Sequence, residues 1–328
     1  MEKDALPSAS RPLVAVTMGA PAGIGPEICA RALFDASVRR AARCLVFGDE
    51  RVLRKAAALV GVDLGAVLAS GDSRVVDLAN ADPAAFATGE VSALCGKAAW
   101  EYVEAAARAA LSGEATAVVT APINKESVRA AKVPYIGHTE MLGAIAGAAD
   151  PLTMFETLGL RVFFLTRHVS LKEACGLVTK KRLLDYIERC SAALAGLGVK
   201  GELVVAGLNP HCGEHGLFGD EEGREIGPAI AEARARGVAV SGPVGADSVF
   251  HLAKIGRYAA VLSLYHAQGH IACKTLDFER TVSLTLGLPF LRTSVDHGTA
   301  FDIAWKGAAS AVGMIEAILS AAKYSRRY

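Results

Sequence analysis

Residues 13–28, LVAVTMGAPAGIGPEI, join a short apolar run to a loop rich in Gly and Pro and then to a helical pattern. The run Leu13–Met18 is rich in β-branched residues and predicts a strand. The loop after it opens a helix whose N–H groups point outward, which is typical of an anion or cofactor loop. A plain tight turn is an equally good interpretation. The stretch therefore predicts a strand–loop–helix unit.

The same alternation continues along the chain. Helices are predicted from about Glu50, over Val91–Leu111 and over roughly Ala308–Ala322. Further strands are predicted at CLVFGD, ATAVVTAP, RVFFLTRH, ELVVAGLNP and YAAVLSLYH. This order predicts an α/β fold with a mostly parallel sheet, in which two lobes share a continuous or interleaved sheet. We expect residues 1–11 to form a loose tail.

Composition excludes several classes of protein. The 328 residues are 52% hydrophobic, which is enough for two lobes, and the net charge of +1 gives no footprint for nucleic acid or an anionic membrane. The N-terminus lacks an apolar signal region, and apolar stretches stop short of the ~18 residues that span a membrane. The seven cysteines are scattered without a CxxC pair, which argues against disulfides or structural zinc. We expect a cytoplasmic protein.

Polar residues follow several predicted strands. His168 ends RVFFLTRH, His211 comes shortly after ELVVAGL, and His266 ends YAAVLSLYH. Because ligands gather at the carboxyl ends of strands in open α/β sheets, a common three-His site is one hypothesis. Three ordinary, satisfied histidines are the alternative. Three neutral imidazoles would suit zinc and leave positions open for substrate.

Other motifs are weaker. GLGVKG at residues 196–201 formally fits GxGxxG, but it follows a helix and precedes a strand, so we predict a helix C-cap and turn. The chain has no GxSxG nucleophile elbow. Cys212 and His211 are adjacent and would face opposite sides of an extended segment, which argues against a thiol nucleophile. Lys274, Arg280 and Arg292 interrupt an apolar stretch, and Arg292 is expected to meet a carboxylate or phosphate.

Taken together, the motifs resemble the 4-hydroxythreonine-4-phosphate dehydrogenase (PdxA) family of pyridoxine and pyridoxal phosphate biosynthesis. The resemblance runs in order from about residue 12 to residue 320. Its blocks are VTMGAPAGIGPEI, TAPINKE, GHTEML, LTRHVSL, AGLNPHCGEHGLFGDEE, GPVGADSVF, YHAQGHIACKTLDFER and LGLPFLRTSVDHGTAFDIA.

The resemblance implies an isocitrate/isopropylmalate-dehydrogenase-like fold with a cleft between two lobes. Residues 12–125 and 273–328 would form the first lobe, on the cofactor side. Residues 126–272 would form the second lobe, which carries the metal and the dimer contacts. The family also implies a homodimer with the active site at the subunit interface and a small anionic substrate.

The resemblance assigns roles to individual residues. A divalent metal (Zn, Mg or Co) would be held by ligands from both subunits. One loop would bind NAD or NADP, and a further set of residues would bind the substrate. Two residues would take part in catalysis. The metal ligands are His168, His211 and His266; the substrate residues are His138, Thr139, Lys274, Ser283 and Arg292; the cofactor residues are His297, Gly298, Thr299, Asp302 and Ile303; the catalytic residues are Asp247 and Lys274.

Four positions depart from the family pattern. The family carries Asp at the positions of Ala20 and Ala267, Asn at that of Ser283 and Gly at that of Trp305. Losing two carboxylates near the site would weaken contacts to a cationic group. We therefore hypothesise that the substrate lacks the amino group of 4-phosphooxy-L-threonine.

The leading prediction is oxidation, with decarboxylation, of 4-phosphooxy-L-threonine or a close relative. A paralogue acting on threonate or erythronate 4-phosphate, or on an aromatic cis-dihydrodiol carboxylate of the terephthalate type, is the alternative. Ala20, Ala267 and Ser283 favour a paralogue, and the retained GHTEML block, Lys274 and Arg292 favour an aliphatic phosphate over a dihydrodiol. More remote alternatives are a non-catalytic binding protein and a phosphate acyltransferase.

Overall fold

The structure is a computed structural model and describes residues 11–328. The described residues form eleven strands and thirteen α-helices. The strands are β1 Leu13–Thr17, β2 Arg43–Gly48, β3 Ser73–Asp77, β4 Ala117–Thr120, β5 Leu152–Thr157, β6 Leu160–Phe164, β7 Leu203–Ala206, β8 Val240–Val244, β9 Ala260–Ser263, β10 Val282–Leu286 and β11 Leu291–Val295.

The helices are α1 Gly25–Phe34, α2 Ala36–Ala41, α3 Glu50–Leu59, α4 Leu64–Ala69, α5 Ala93–Leu111, α6 Lys125–Ala130, α7 His138–Ala146, α8 Leu171–Gly176, α9 Lys180–Gly196, α10 Gly227–Ala235, α11 Val249–Lys254, α12 His266–Leu276 and α13 Val312–Tyr324.

These helices and strands divide between two compact units. Of the described residues, the first comprises residues 11–151, Val282–Arg326 and Tyr328, and its strands lie in the order β3-β2-β1-β4-β11-β10. Neighbouring strands there are parallel except β10 and β11, which are antiparallel. The second comprises Leu152–Thr281 with Arg327, and its strands lie in the order β5-β6-β9-β7-β8, antiparallel at β5 and β6 alone. The predicted α/β fold with mostly parallel strands is confirmed.

The unit boundaries differ from the expected ones. Residues 126–151 belong to the first unit, because α6 and α7 pack against α5. Residues 273–281 belong to the second unit, where they complete α12 and lead away from it. Arg11, which was expected to lie in a loose tail, donates from Nη2 to Asp72 Oδ1 at 2.6 Å. The rest of the predicted tail, residues 1–10, lies outside the described residues.

Local sequence explains where these elements begin. The strands β1, β4, β7 and β9 are apolar and almost completely buried, as expected for parallel strands covered on both faces. Asp35, Asp49 and Asp63 precede α2, α3 and α4, and each carboxylate accepts a backbone N–H of the first turn. The GLGVKG segment is the predicted cap and turn, since α9 ends at Gly196 and Gly198 has a φ of +67°.

The Gly/Pro loop between β1 and α1 is buried and its backbone is committed within the protein. The N–H groups of Ala20, Gly23 and Ile24 donate to the carbonyl oxygens of Pro122, Ala20 and Thr299. At Gly25, an added Cβ would lie 2.3 Å from the carbonyl oxygen of Met18. These contacts favour the tight-turn interpretation, in which the loop holds neighbouring segments in place.

No helix within residues 11–328 is both long enough and apolar enough to cross a membrane.

We predict that Gly25→Ala destabilises the first unit by about 1–3 kcal/mol, because the new methyl group overlaps a backbone oxygen that cannot move alone. Thermal unfolding followed by circular dichroism measures the effect. Gly196→Ala is the matched control, since nothing lies within 4 Å of its added Cβ and a helical Ala is favoured over Gly. Equal unfolding temperatures for Gly25→Ala and the unchanged protein would contradict this view of the loop.

Candidate active site

A buried guanidinium lies in the first unit. Arg292 on β11 is 6% exposed. Its Nη2 and Nε donate to Thr120 Oγ1 at 2.6 and 3.1 Å, and its Nη1 donates to Thr285 Oγ1 at 3.1 Å. Burial lowers the pKa of Arg292 to about 10, although the negative charge of Asp296 acts in the opposite direction. Because neutral hydroxyls satisfy the donors without neutralising the charge, the group is suited to an anionic ligand.

His138 lies close enough to Arg292 for that charge to act on it. Burial, and then the positive charge of Arg292, hold the pKa of His138 well below its ordinary value of 6.5. Its Nε2 is buried and has no hydrogen-bond partner among the described residues. The imidazole is therefore neutral, with one ring nitrogen available to a ligand. Thr139 follows it in the first turn of α7 and is half-buried.

Strand register places Ser283 on the same side as the guanidinium. Thr285 on β10 is the cross-strand partner of Arg292, and Ser283 lies two residues before it. Side chains two residues apart on a strand share a face. The structure thus groups three of the predicted substrate residues, His138, Ser283 and Arg292, within the first unit.

The five predicted cofactor residues lie on one loop after β11. Thr299 is buried, and its carbonyl accepts the N–H of Ile24 at 3.1 Å. His297 and Ile303 are half-buried, whereas Gly298 and Asp302 are exposed. The loop carries an imidazole ring and an aliphatic side chain, which suit stacking against an adenine. It also carries a carboxylate, which can accept a hydrogen bond from a ribose hydroxyl. The residues present therefore fit the adenosine half of NAD.

Trp305 adopts a backbone conformation that favours glycine, with a φ of +61°. The buried carboxylate of Glu27 stabilises this bend by accepting the N–H of Trp305 at 2.7 Å and that of Gly307 at 2.8 Å. The indole N–H donates to the carbonyl of Pro21 at 3.0 Å, and Lys55 Nζ lies 5.3 Å from the ring centroid. The indole therefore packs against the Gly/Pro loop.

Two of the predicted metal ligands meet in the second unit. His168 follows β6 and His266 begins α12, and both line a cavity of about 350 Å³. Their ring centroids are 5.7 Å apart. With metal–nitrogen bonds of about 2.0–2.1 Å, one cation can bind two imidazoles at such a separation. These two residues therefore fit a divalent metal.

His211 is not part of this pair. It is exposed and begins a segment, His211–Gly216, in which every residue has a positive φ. Its ring lies 6.4 Å, centroid to centroid, from that of Phe218. Within residues 11–328 of a single chain, no three His, Cys, Asp or Glu side chains come together as a metal site. One chain thus supplies a pair of imidazoles and a separate third.

The two predicted catalytic residues also lie in the second unit. Lys274 is half-buried on α12, eight residues after His266 and so near the same helix face, with its Nζ 5.1 Å from the Phe278 ring centroid. Asp247 is exposed. Burial, and then the charges of Glu222 and Asp247, raise the pKa of Cys212. Asp247 therefore lies near the His211 segment. The raised pKa keeps Cys212 as a thiol, which agrees with the argument against a thiol nucleophile.

Some site residues were not identified from sequence. Thr285 sits within an apolar strand, where a hydroxyl gives no recognisable signal. His270 stacks on His266 with ring centroids 3.6 Å apart, and the spacing of four residues on a helix could have indicated it. Thr120 lies in the predicted strand ATAVVTAP, but nothing in the sequence connects it with Arg292.

Comparison with known proteins extends over nearly the whole chain. The model of the family described as pyridoxal phosphate biosynthetic protein PdxA matches residues 40–321. A Fusobacterium nucleatum protein, provisionally named D-threonate 4-phosphate dehydrogenase, is 54% identical over 327 residues, covering 97% of this chain and 98% of that protein.

Solved structures show the same relationship. The 4-hydroxythreonine-4-phosphate dehydrogenase of Klebsiella pneumoniae is 38% identical, with a TM-score of 0.86 and coverage of 96% of this chain and 99% of that chain. A terephthalate 1,2-cis-dihydrodiol dehydrogenase of Burkholderia xenovorans is 30% identical, with a TM-score of 0.64 and coverage of 93% and 96%.

We predict that Thr120→Val weakens the binding of inorganic phosphate about tenfold, because Arg292 loses the acceptor of two of its hydrogen bonds. Isothermal titration calorimetry measures the affinity. Thr120→Ser should restore it, and Thr293→Val is the matched control, since that buried hydroxyl donates to the carbonyl of Ala317 instead. Unchanged phosphate affinity in Thr120→Val would show that the hydroxyl does not orient the guanidinium.

We also predict a loss of stability on acidification that depends on His138. Because its folded-state pKa is depressed, the unfolded chain takes up a proton below about pH 6.5 that the folded protein does not, which costs up to about 1.4 kcal/mol per pH unit. Denaturant unfolding measures this effect. Between about pH 7 and 5, the free energy of unfolding should depend less steeply on pH in His138→Gln than in the unchanged protein. Parallel curves for the two proteins would mean that His138 is protonated in the fold.

Proposed function

This chain belongs to the pyridoxal phosphate biosynthetic protein PdxA family, and we propose that it oxidises a phosphorylated hydroxy acid with NAD and a divalent metal. It is a dehydrogenase of the PdxA type, as its relatives are. The observation that carries the proposal is the buried Arg292 guanidinium, whose hydrogen-bond acceptors are neutral hydroxyls. An anionic substrate would form charge-assisted hydrogen bonds with this guanidinium.

The substrate that we favour is a four-carbon sugar acid phosphate such as D-threonate 4-phosphate. The relative at 54% identity bears that name. Ala267, beside His266 in the cavity, and the buried Ala20 stand where the family has carboxylates, so a substrate amine would have fewer partners. The weaker structural similarity to the dihydrodiol dehydrogenase makes an aromatic substrate the less favoured alternative.

The anionic ends of this substrate define the roles of several side chains. Arg292 would bind one anionic group through its fork, and His138 would offer Nε2 beside it. Thr139, Ser283 and Lys274 would complete the substrate contacts, as the family resemblance implies. Fixed donors of this kind orient the reacting hydroxyl and lower the entropic cost of reaction.

The metal would be shared between two copies of the chain. His168 and His266 of one copy fit a divalent cation, and His211 of the other copy would complete the set. Exposed apolar side chains flank these histidines, with Leu171 62% exposed and Leu217 70% exposed, as expected for a surface covered in a homodimer. When bound, a cation of this kind lowers the pKa of a hydroxyl that it ligates.

The remaining chemistry falls to the cofactor loop and two polar residues. The loop after β11 would hold NAD, and the exposed carboxylate of Asp302 favours a ribose hydroxyl over the phosphate of NADP. Asp247 and Lys274 would move or hold the proton of the substrate hydroxyl. Loss of that proton and transfer of a hydride to NAD give a ketone. If the substrate carboxylate is β to the ketone, the carbon–carbon bond breaks, CO₂ leaves, and the bonding electrons form an enolate that then takes up a proton.

The state of the cysteines bears on where the protein works. The seven cysteines are all free, which supports a reducing compartment such as the cytoplasm.

We predict that the purified enzyme reduces NAD with D-threonate 4-phosphate at a kcat/KM at least about tenfold above that with 4-phosphooxy-L-threonine. Ala267→Asp should narrow this ratio, because a carboxylate near the site favours the amine. Thr275→Asp, an exposed change on the same helix, is the control. Absorbance of NADH measures both rates. A preference for 4-phosphooxy-L-threonine would overturn the proposed substrate, and full turnover after metal chelation would overturn the metal dependence.

A further inference from the structure

We propose that the buried carboxylate of Glu222 is the positioning residue that holds His211 ready to bind the metal. The inference rests on the proposed function, because it takes His211 as a metal ligand. Glu222 is 6% exposed and lies eleven residues beyond His211, on the far side of the left-handed segment.

The carboxylate is bonded to the residues immediately before that segment. Its Oε1 accepts the N–H of Leu208 at 2.8 Å and the N–H of Asn209 at 2.7 Å. Its Oε2 accepts the side-chain amide of Asn209 at 2.9 Å. Asn209 in turn accepts, through its backbone carbonyl, the N–H of Cys212 at 3.1 Å. The carboxylate therefore fixes the point at which the chain enters the segment.

The same carboxylate also lies close to the middle of the segment. An added Cβ at Gly213 would lie 2.9 Å from Glu222 Oε2. The chain must therefore approach the carboxylate closely on both sides of His211, and at Gly213 only a residue without a side chain allows this.

The backbone around His211 needs such support. His211, Cys212, Glu214 and His215 have φ values of 51°, 55°, 43° and 57°. L-residues rarely adopt this left-handed conformation, and a run of them persists only where surrounding contacts hold it. Glu222 accepts three hydrogen bonds from Leu208 and Asn209, just before the run, and so fixes the backbone from which the exposed His211 side chain extends.

The variant Glu222→Gln tests this role. The amide replaces one accepting oxygen by a donor, which then faces either the two backbone N–H groups or the Asn209 amide. The segment should relax, and we expect Co²⁺ affinity to fall by about tenfold to a hundredfold, as for other residues that orient metal ligands. Calorimetric titration of the metal-free dimer with Co²⁺ measures it, and the cobalt absorption band reports the geometry.

Two companion variants make the result specific. Glu214→Gln makes the same charge change at an exposed position in the same segment and should leave Co²⁺ affinity unchanged. His211→Ala should lose at least as much affinity as Glu222→Gln, because it removes one of the three proposed ligands. If His211→Ala loses affinity while folded Glu222→Gln keeps it, the positioning role is wrong and the metal site stands. If His211→Ala keeps wild-type affinity, the proposed metal site itself is wrong, and the role of Glu222 falls with it.

Stability is followed separately by thermal unfolding. A lowered unfolding temperature with unchanged Co²⁺ affinity would assign Glu222 a merely structural role and overturn the proposal. If Glu222→Gln does not fold, Glu222→Asp keeps the charge on a shorter side chain. It should still weaken Co²⁺ binding, because a side chain shorter by one methylene cannot bring its carboxylate within hydrogen-bond distance of both N–H groups of Asn209. Unchanged Co²⁺ affinity in Glu222→Asp would equally overturn the proposal.

Discussion

Burial of the parallel strands on both faces is the constraint from which the site follows. The strands β4, β7 and β9 are buried at every residue, so polar side chains along them would need partners that an apolar layer does not offer. Polar residues instead gather where each strand ends. Thr120 ends β4, and His211 and His266 follow β7 and β9 within a few residues. The chemistry of each unit is therefore concentrated at the carboxyl ends of its strands.

Arg292 is the exception, since its charge lies within a buried strand. Two threonine hydroxyls make this possible by satisfying its donors, but they leave the charge in place. A buried charge of this kind is costly unless an opposite charge pairs with it, which an anionic ligand would do. The neutral His138 fits the same purpose. A charged imidazole there would repel the guanidinium of Arg292, and the cost of burying it would add to the cost of burying Arg292.

Features that depend on local pattern were predictable from the sequence. Apolar runs ending in polar residues indicated β1, β4, β6, β7 and β9, and the position of a Gly-rich motif after a helix marked it as a cap. The resemblance to a family then supplied residues that no spacing could, such as Ser283. What escaped prediction depends on contacts between distant segments. Thr285 contacts Arg292 because the two residues are cross-strand partners. Glu222 accepts hydrogen bonds from residues 14 and 13 positions before it. Neither contact leaves a periodic signal in the sequence.

In the arrangement that we propose, the imidazoles of His168 and His266 in one copy share a cation with His211 of another. Subunit complementation is the experiment that tests this arrangement. His211→Ala and His266→Ala are each expected to be inactive, and a mixed dimer of the two contains one complete set of ligands. We expect co-expression to restore dehydrogenase activity that neither variant has alone. Mixed dimers that form, bind NAD and remain inactive would contradict it.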